Sequence, residues 1–385
     1  MLTSVEQAQS QFANGPEFDA LLKQIGDRAL SFRKARRLDD DIVAGFRTIG
    51  IYRAFVARRF GGLEITPDRF LETIETIADA DGSAGWVASF GVSALYLAAL
   101  PVQTLEAIYQ KGPDVVFAGA IFPPCPAGIA DGDLVVSGRW PYASGCTGAD
   151  LLGVGVSLPN GPAGDGLPRT AVFPAEQARI DETWNTMGMA GTGSHDIVAE
   201  AIRVPMDWTF IRGGPSNLEG PIYRYPSLAL AAQVLTVVGL GCARRTLNEI
   251  SAMAQGRKSI TGAPVMADRP YVQFSIAEAE AMLSAARCFF YDVTRQAMAA
   301  AENGTPDEAC AARIRLACIH AAQTSYEVAR RCFELGGIAA VDADHILARC
   351  MQDCAVVAQH AFMARSNYEV AGRLILGRGG RPGYP

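Results

Sequence analysis

Only four histidines occur in the 385 residues, and His360 lies inside the apolar stretch "CMQDCAVVAQHAFMARSNYEVAG", residues 350–372. Apolar periodicity predicts one long helix here, with His360 on its buried stripe. An imidazole with its ordinary pKa of about 6.5 can share or accept a proton at neutral pH, which leucine could not do there. A histidine on a helix face is also a common, satisfied core residue, so its meaning depends on what the rest of the chain brings to it. Cys350 and Cys354 stand one turn apart in the same stretch, with His345 upstream; the spacing fits no structural zinc pattern, so they read as core and no metal is expected. "VVGLGCARR" (237–245) lies inside a helical segment instead of at a strand-to-helix turn. Gly239 and Gly241 therefore read as positions of close helix packing, not as a dinucleotide fingerprint. No Ser-His-Asp order or phosphate-binding P-loop stands out.

The elements that must position His360 fall into three textures. Residues 1–112 read as helical: "EFDALLKQIGDRALSFRKAR" puts Phe18, Leu21, Leu22, Ile25 and Leu30 at helical spacing. "DDDIVAGFRTIGIYRAFV" continues with an acidic first turn, and "TPDRFLETIETIADAD" offers Thr66 as N-cap with Pro67 at the first helical position. "SAGWVASFGVSALYLAAL" reads as one small-residue helix, buried on nearly all sides. Residues 113–215 turn to short strands ("DVVFAGAI", "DLVVSGRW", "LLGVGVSL", "RTAVFP", "HDIVAEAIRVP") separated by turns such as "DGD". Residues 216–385 return to helix in four long segments, roughly 225–255, 267–301, 306–335 and 343–375. The expected fold is α+β: an N-terminal helical domain, a small antiparallel β-barrel in the centre and a C-terminal four-helix bundle.

Composition narrows the function classes. A chain of this length divides into two or three packed units. The formal net charge of −6 and a pI near 5.4 argue against nucleic acid, and no run of like charge suggests a membrane surface. The polar start "MLTSVEQAQSQFANG" has no signal-peptide pattern, and "LALAAQVLTVVGLGCA" is interrupted by Gln233 and Thr236, so it reads as a buried bundle helix. Nine cysteines scattered through helical segments read as reduced, which fits the cytoplasm.

Several of these segments, in order, resemble the acyl-CoA dehydrogenase fold. "ARRFGGLEITPDRFLETIETIADAD" is similar to its "YGGLG" turn and following helix, and "VVSGRWPYASGCTGAD" to the "INGxKxWITN…AD" strand that lies against the flavin ring. "TWNTMGMAGTGSHDIVAEAIRVP" resembles "KLGMRGSxTxELxFxDVxVP", and "GRKSITGAPVMADRPYVQFSIAEAEAML" the "R…FG…Q" helix that reaches a neighbouring subunit's cofactor. The resemblance implies helical, barrel and bundle domains around a flavin, in a homotetramer. It also marks a departure. Where such dehydrogenases carry "RDxxxxxIYEGT", this chain has "RCMQDCAVVAQHAF", with Ala361 at the position of the proton-abstracting glutamate and His360 at its tyrosine. A histidine there, with "SGC" and "GTGS", resembles instead the oxygenase components of two-component flavin monooxygenases, related to the hydroxyphenylacetate and steroid-phenol hydroxylases. That group implies reduced FMN (or FAD) from a separate NAD(P)H-dependent flavin reductase, O2, a C4a-hydroperoxide and transfer of one oxygen atom to a small aromatic substrate.

By carry-over, the resemblance assigns His360 to hydrogen-bonding or deprotonating the substrate, and Ser144 and Thr170 to the surroundings of flavin N5. Tyr142 would wall the isoalloxazine. Trp140 beside it would line the pocket or belong to the barrel core. Thr192 and Ser194 would meet flavin or phosphate; Arg257 would meet the cofactor phosphate or sit solvated in a loop. Phe122, Trp140, Ala361 and Phe362 would form the substrate pocket, and His195, alternating with Ser194, would be structural. The loop "GAIFPPCPAG" lacks a second histidine that some hydroxylases carry, which points to a less polar aromatic such as an indole or a polycycle. An acyl-CoA dehydrogenase with its base elsewhere, and a non-catalytic flavin-binding subunit, remain the alternatives.

Overall fold

The computed structural model describes residues 12–158, 168–256 and 264–378. Helix α1 (Pro16–Ala35) starts on a proline whose φ is already helical and buries Phe18, Leu21, Ile25, Ala29 and Phe32 along one face. Helix α2 (Asp40–Thr48) is shorter than its periodicity suggested, because the chain turns at Gly50 (φ 87°), a conformation that favours glycine. Arg28 joins the two helices by pairing with Asp39 and Asp41. Helix α3 (Pro67–Ala80) follows, then α4 (Gly82–Ala88), whose first turn is capped by the Asp81 carboxylate accepting from Ala84 N–H at 2.9 Å.

The expected single helix over "SAGWVASFGVSALYLAAL" is in fact broken: α4 gives way to a 3₁₀ turn and then to α5 (Ser93–Leu97). Gly91 lies in this 3₁₀ turn and lets it approach the neighbouring chain, since a Cβ there would lie 2.4 Å from the Ile51 carbonyl oxygen. Ser89 Oγ also donates to the Trp86 carbonyl at 2.7 Å. Helix α6 (Val102–Ile108) completes the N-terminal group.

The strands are β1 (Phe117–Ala130), β2 (Asp133–Ala143), β3 (Leu151–Ser157), β4 (Arg169–Pro174), β5 (Arg179–Asp181), β6 (His195–Val204) and β7 (Thr209–Ile211). They form one sheet in the order β5-β6-β2-β1-β3-β4-β7 that does not close, so the expected antiparallel barrel is replaced by an open, mixed sheet. The mixed pairing arises at β1. Its end, Ala127–Ala130, pairs with β2 through the Asp131-Gly132 hairpin, while Phe117–Pro126 pairs in parallel with β3. The strands of that parallel pair approach closely at glycines: a Cβ on Gly119 would sit 2.0 Å from the Gly153 carbonyl oxygen.

The C-terminal bundle comprises α8 (Ser227–Gly256), α9 (Pro270–Asn303), α10 (Glu308–Gly336) and α11 (Ile346–Gln359), preceded by the short α7 (Pro221–Arg224) and followed by α12 (Tyr368–Ile375). By length and composition α8 could cross a bilayer, but its apolar surface is covered by α3, α10 and α11. Its two polar interruptions are both buried. Gln233 accepts from Tyr225 O–H at 2.8 Å and donates to Thr294 Oγ1 at 2.6 Å, so it costs the core no unpaired amide. Gly241 meets α3 closely, with room for no Cβ (2.4 Å to the Glu75 carbonyl oxygen). Six cysteines are buried, among them Cys350, Cys354 and Cys242, whose hydrogen bonds to one another together with burial leave all three thiols raised.

The largest departure from the sequence reading is at His360. The predicted helix over 343–375 ends at Gln359; His360 adopts ψ 144° and leads into a 3₁₀ turn, Ala361–Met363. The backbone groups freed by the break are satisfied by side chains. Gln323 donates to the Ala358 and Met363 carbonyls, Asn367 donates to those of Ala361 and Phe362, and His360 Nδ1 accepts from Phe362 N–H at 3.2 Å.

Candidate active site

A cavity of about 590 Å³ lies where the sheet, the N-terminal helices and the bundle meet, a size suited to a cofactor and a small ligand. One wall comes from β1: Gly119, Ala120, Ile121 and Phe122. The stretch without a second histidine is thus an apolar surface. Trp86, Phe90 and Tyr96 come from the N-terminal helices, Ala231, Val234 and Leu235 from α8, and Gln359, His360, Ala361 and Phe362 from the break after α11.

The same cavity is lined by a chain of hydroxyls, which Trp86 connects to His360. Trp86 Nε1–H donates to Ser144 Oγ at 3.1 Å; Ser144 and Ser194 are 2.7 Å apart, and Ser194 and Thr192 2.6 Å. Thr192 spends its only proton on the Met189 carbonyl at 2.8 Å, which fixes the direction of the others: Ser194 donates to Thr192, and Ser144 to Ser194. Ser144 therefore has only an acceptor lone pair left to offer. A bulge in the β2–β6 pairing between Trp140 and Ala143, with Tyr142 at φ 65°, aims these groups. It turns Tyr142 out to 70% exposure, edge-on to Trp184 at 6.2 Å, and leaves Ser144 buried. The segment carrying Thr192 and Ser194 is tied to the helices by Asp353 accepting from Met189 N–H at 2.5 Å and by Ser83 accepting from Gly191 N–H at 3.1 Å. Burial raises both the Asp353 and the Asp81 carboxyls, Asp81 to about 7 with the nearby Asp353 charge contributing.

Because His360 Nδ1 accepts a backbone N–H, the ring proton resides on Nε2. Enclosure, with the Arg212 guanidinium as a second cause, pushes the imidazole down to about 4. It is a neutral hydrogen-bond donor at physiological pH, not the proton acceptor that an ordinary histidine would supply. Its ring meets Trp86 at 5.8 Å and Phe362 at 4.9 Å.

The sequence-predicted residues divide cleanly. His360, Ser144, Tyr142, Thr192, Ser194, Phe122, Ala361 and Phe362 all line the cavity. Trp140 does not: it is buried in the sheet core with its Nε1–H on the Gly155 carbonyl at 2.8 Å. Thr170 does not either; its methyl packs over Gly153 beside the Phe117 ring. Arg257 lies outside the described residues. His195 accepts from Trp184 N–H at 3.1 Å and supports that aromatic from behind the cavity. Trp86, Tyr96 and Arg212 lie outside the motifs and reach the cavity only through tertiary packing; Trp184 opens the motif "TWNTMGMAGTGS", but its place on the cavity wall is set by packing and not by the motif. Among the described residues, no cluster of metal-ligating side chains is found, and no aspartate or glutamate lines the cavity.

A helical domain, a sheet and a bundle enclosing such a cavity define a protein of the acyl-CoA dehydrogenase fold. Residues 233–365 match the family described as acyl-CoA dehydrogenase, C-terminal domain. A Pseudomonas putida protein named indole-3-acetate monooxygenase is 50% identical over 97% of each chain. The oxygenase subunit HsaA of a flavin-dependent monooxygenase from Rhodococcus jostii is 30% identical over 70% of this chain and 72% of its own. The fold is shared with XiaF from Streptomyces sp. in complex with FADH2 and glycerol (TM-score 0.89, 20% identity, 99% of this chain and 97% of the other). It is shared as well with TdsC from Paenibacillus sp. A11-2 in complex with FMN and indole (TM-score 0.81, 19% identity, 99% of each chain). The chain belongs to the flavin-dependent monooxygenases of this fold, among their oxygenase components.

The donor set fits a reduced flavin. Reduced isoalloxazine would bring an N–H at N5, and the lining holds an acceptor for such a group in Ser144 Oγ.

Proposed function

We propose that the protein takes reduced flavin, FMN in preference to FAD, from a separate NAD(P)H-dependent reductase and oxygenates an indole-type aromatic, with indole-3-acetate as the substrate. One observation carries this reading: a largely apolar cavity that holds both a hydroxyl chain ending in the acceptor Ser144 and a neutral imidazole, with no carboxylate among its described lining residues. An acyl-CoA dehydrogenase needs a carboxylate base for the α-proton, and the described lining residues supply none. The 50% identity to the Pseudomonas putida protein supports the substrate, and the FMN and indole held together by TdsC support the pairing of flavin and ring.

Reduced flavin, when bound, supplies the electrons that activate O2. The protein's own residues do the rest. Ser144, held by Trp86 and Ser194, would accept from the ring N–H, and Tyr142 and Trp184 would offer it aromatic surface. Ile121, Phe122, Val234 and Phe362 exclude water, which protects reactive oxygen species from protonation. His360 Nε2–H donates to a polar atom of the substrate and fixes its orientation.

A homotetramer in the cytoplasm belongs to the same reading. The exposed Tyr271, Phe274, Ile338 and Val341 on the bundle give apolar surface for neighbouring copies, to be tested by light scattering. The nine unpaired cysteines suit a reducing compartment. The activity is tested by mixing protein, reduced FMN and indole-3-acetate with ¹⁸O2. One labelled oxygen in the product supports the reading. Hydrogen peroxide alone overturns it, and anaerobic bleaching of bound oxidised flavin by acyl-CoA thioesters supports the dehydrogenase.

A further inference from the structure

Asp353 is buried on α11, outside the cavity and about two helical turns before His360. Its Oδ1 accepts from Met189 N–H at 2.5 Å. Backbone crowds this contact on both sides: a Cβ on Gly188 would lie 2.3 Å from the Gln352 carbonyl oxygen, and one on Gly82 2.8 Å from Asp353 Oδ2. Met189 stands at φ 51°, ψ 31°, a left-handed conformation that a residue other than glycine holds only where its surroundings impose it. With its N–H fixed on α11, its carbonyl receives three donors: Thr192 Oγ1 at 2.8 Å, Trp184 Nε1 at 2.9 Å and Thr192 N–H at 3.2 Å. The first of these sets the order in which Ser194 donates to Thr192 and Ser144 to Ser194, so that Ser144 keeps only a lone pair for the cavity.

We infer that Asp353 is a positioning residue for the flavin site: by holding Met189 it makes the Met189 carbonyl the terminus of the hydroxyl chain, and so presents Ser144 to the ring as an acceptor and not as a donor. This rests on the contact between Ser144 and flavin proposed above and deepens it, because the direction of the chain then discriminates between redox states. A reduced ring would bring an N–H to Ser144, and an oxidised ring a lone pair that needs a donor. Without the hold on Met189 N–H, the turn relaxes from its left-handed conformation and its carbonyl leaves Thr192. Thr192 then has its proton free for Ser194, and the two serines can reverse. Asp353→Asn keeps an oxygen acceptor in the same place, whereas Asp353→Ala keeps none. One hydrogen bond gained or lost in this way changes affinity roughly two- to twelvefold.

The test measures the affinity of the full chain for oxidised and for dithionite-reduced FMN by anaerobic equilibrium dialysis. Wild type should bind the reduced form more tightly. The ratio of the two Kd values should fall roughly two- to twelvefold in Asp353→Ala and stay at the wild-type value in Asp353→Asn. Loosened packing alone would weaken both redox forms together and leave the ratio unchanged. An unchanged ratio in a folded Asp353→Ala, shown by its circular dichroism, therefore overturns the assignment, and so does an equal fall in Asp353→Asn. A wild-type chain that binds both forms equally, or prefers oxidised FMN, overturns it without requiring any variant to fold. Should Asp353→Ala not fold, Thr192→Val removes the next link: a fall in the ratio supports the relay and a wild-type ratio overturns it. Each overturning result leaves the monooxygenase reading standing where wild type still oxygenates indole-3-acetate. Failure of wild type to bind reduced FMN at all overturns both.

Discussion

His360 combines two hydrogen-bonding jobs that two substitutions can separate. Asparagine places an acceptor where Nδ1 lies and nothing where Nε2 lies; glutamine reaches the Nε2 position but withdraws the acceptor from Phe362 N–H. His360→Asn should therefore keep the joint after α11 and lose the donor to substrate. A neutral hydrogen bond contributes about 0.5–1.5 kcal/mol net, so kcat/KM should fall roughly two- to twelvefold, and more where the acceptor is a carboxylate. His360→Gln should retain more of the activity but lose a capping interaction worth about 1 kcal/mol, seen as a Tm drop of roughly 2 °C. Acidity gives a second readout. The unfolded chain protonates this imidazole at about 6.5 and the folded chain at about 4. Between those values the unfolded state holds more protons, so stability rises with pH and is lost as pH falls through that window. The loss approaches ~3 kcal/mol at its acid end, and the slope should be shallower in His360→Asn. Above pH 5 the imidazole stays neutral, so its contribution to kcat/KM should be flat to pH 8. The assays are steady-state product formation with excess reduced FMN, and urea unfolding at several pH values. An activity step near pH 6.5 that disappears in His360→Asn would refute the donor assignment and restore a proton-accepting role.

Ser144→Ala breaks the link between Trp86 and Ser194; oxygen should be diverted several-fold from product to hydrogen peroxide, measured as the ratio of the two per NADH consumed, while a wild-type ratio would remove Ser144 from the flavin contact. Asp81, with its carboxyl raised to about 7 by burial and the Asp353 charge, binds more protons folded than unfolded, so its contribution falls as pH rises from about 4 to about 7. Asp81→Asn, which can still cap α4, should accordingly raise stability at pH 8 by on the order of 1 kcal/mol and by less at pH 5; equal shifts at both pH values count against the assignment. Gly241→Ala puts a Cβ against the Glu75 carbonyl and should cost about 1–3 kcal/mol in thermal or urea unfolding; an unchanged Tm would show that α3 and α8 can separate at that point.

Local sequence determined much of this protein. Pro67 and the apolar periods set the helices, the Asp131-Gly132 turn set the first hairpin, and the ordered motifs around Tyr142, Ser144, Thr192, Ser194 and His360 identified one wall of the site. Such features depend on spacing within a few residues, which a chain displays directly. What it could not display were the partners that compete with a local preference. The apolar stripe through His360 looks helical until Gln323 and Asn367, the former on another helix, satisfy the carbonyls of a break. Trp140 and Thr170 have the right types and motif positions, but the pleat and pairing of the sheet bury them away from the cavity. The long β1 strand, antiparallel to β2 and parallel to β3, made the sheet mixed. Arg212 has no motif around it at all; it became the cavity's charge only when β7 docked beside β4, because the electrostatics of an enclosed site belong to everything that surrounds it and not to neighbours along the chain.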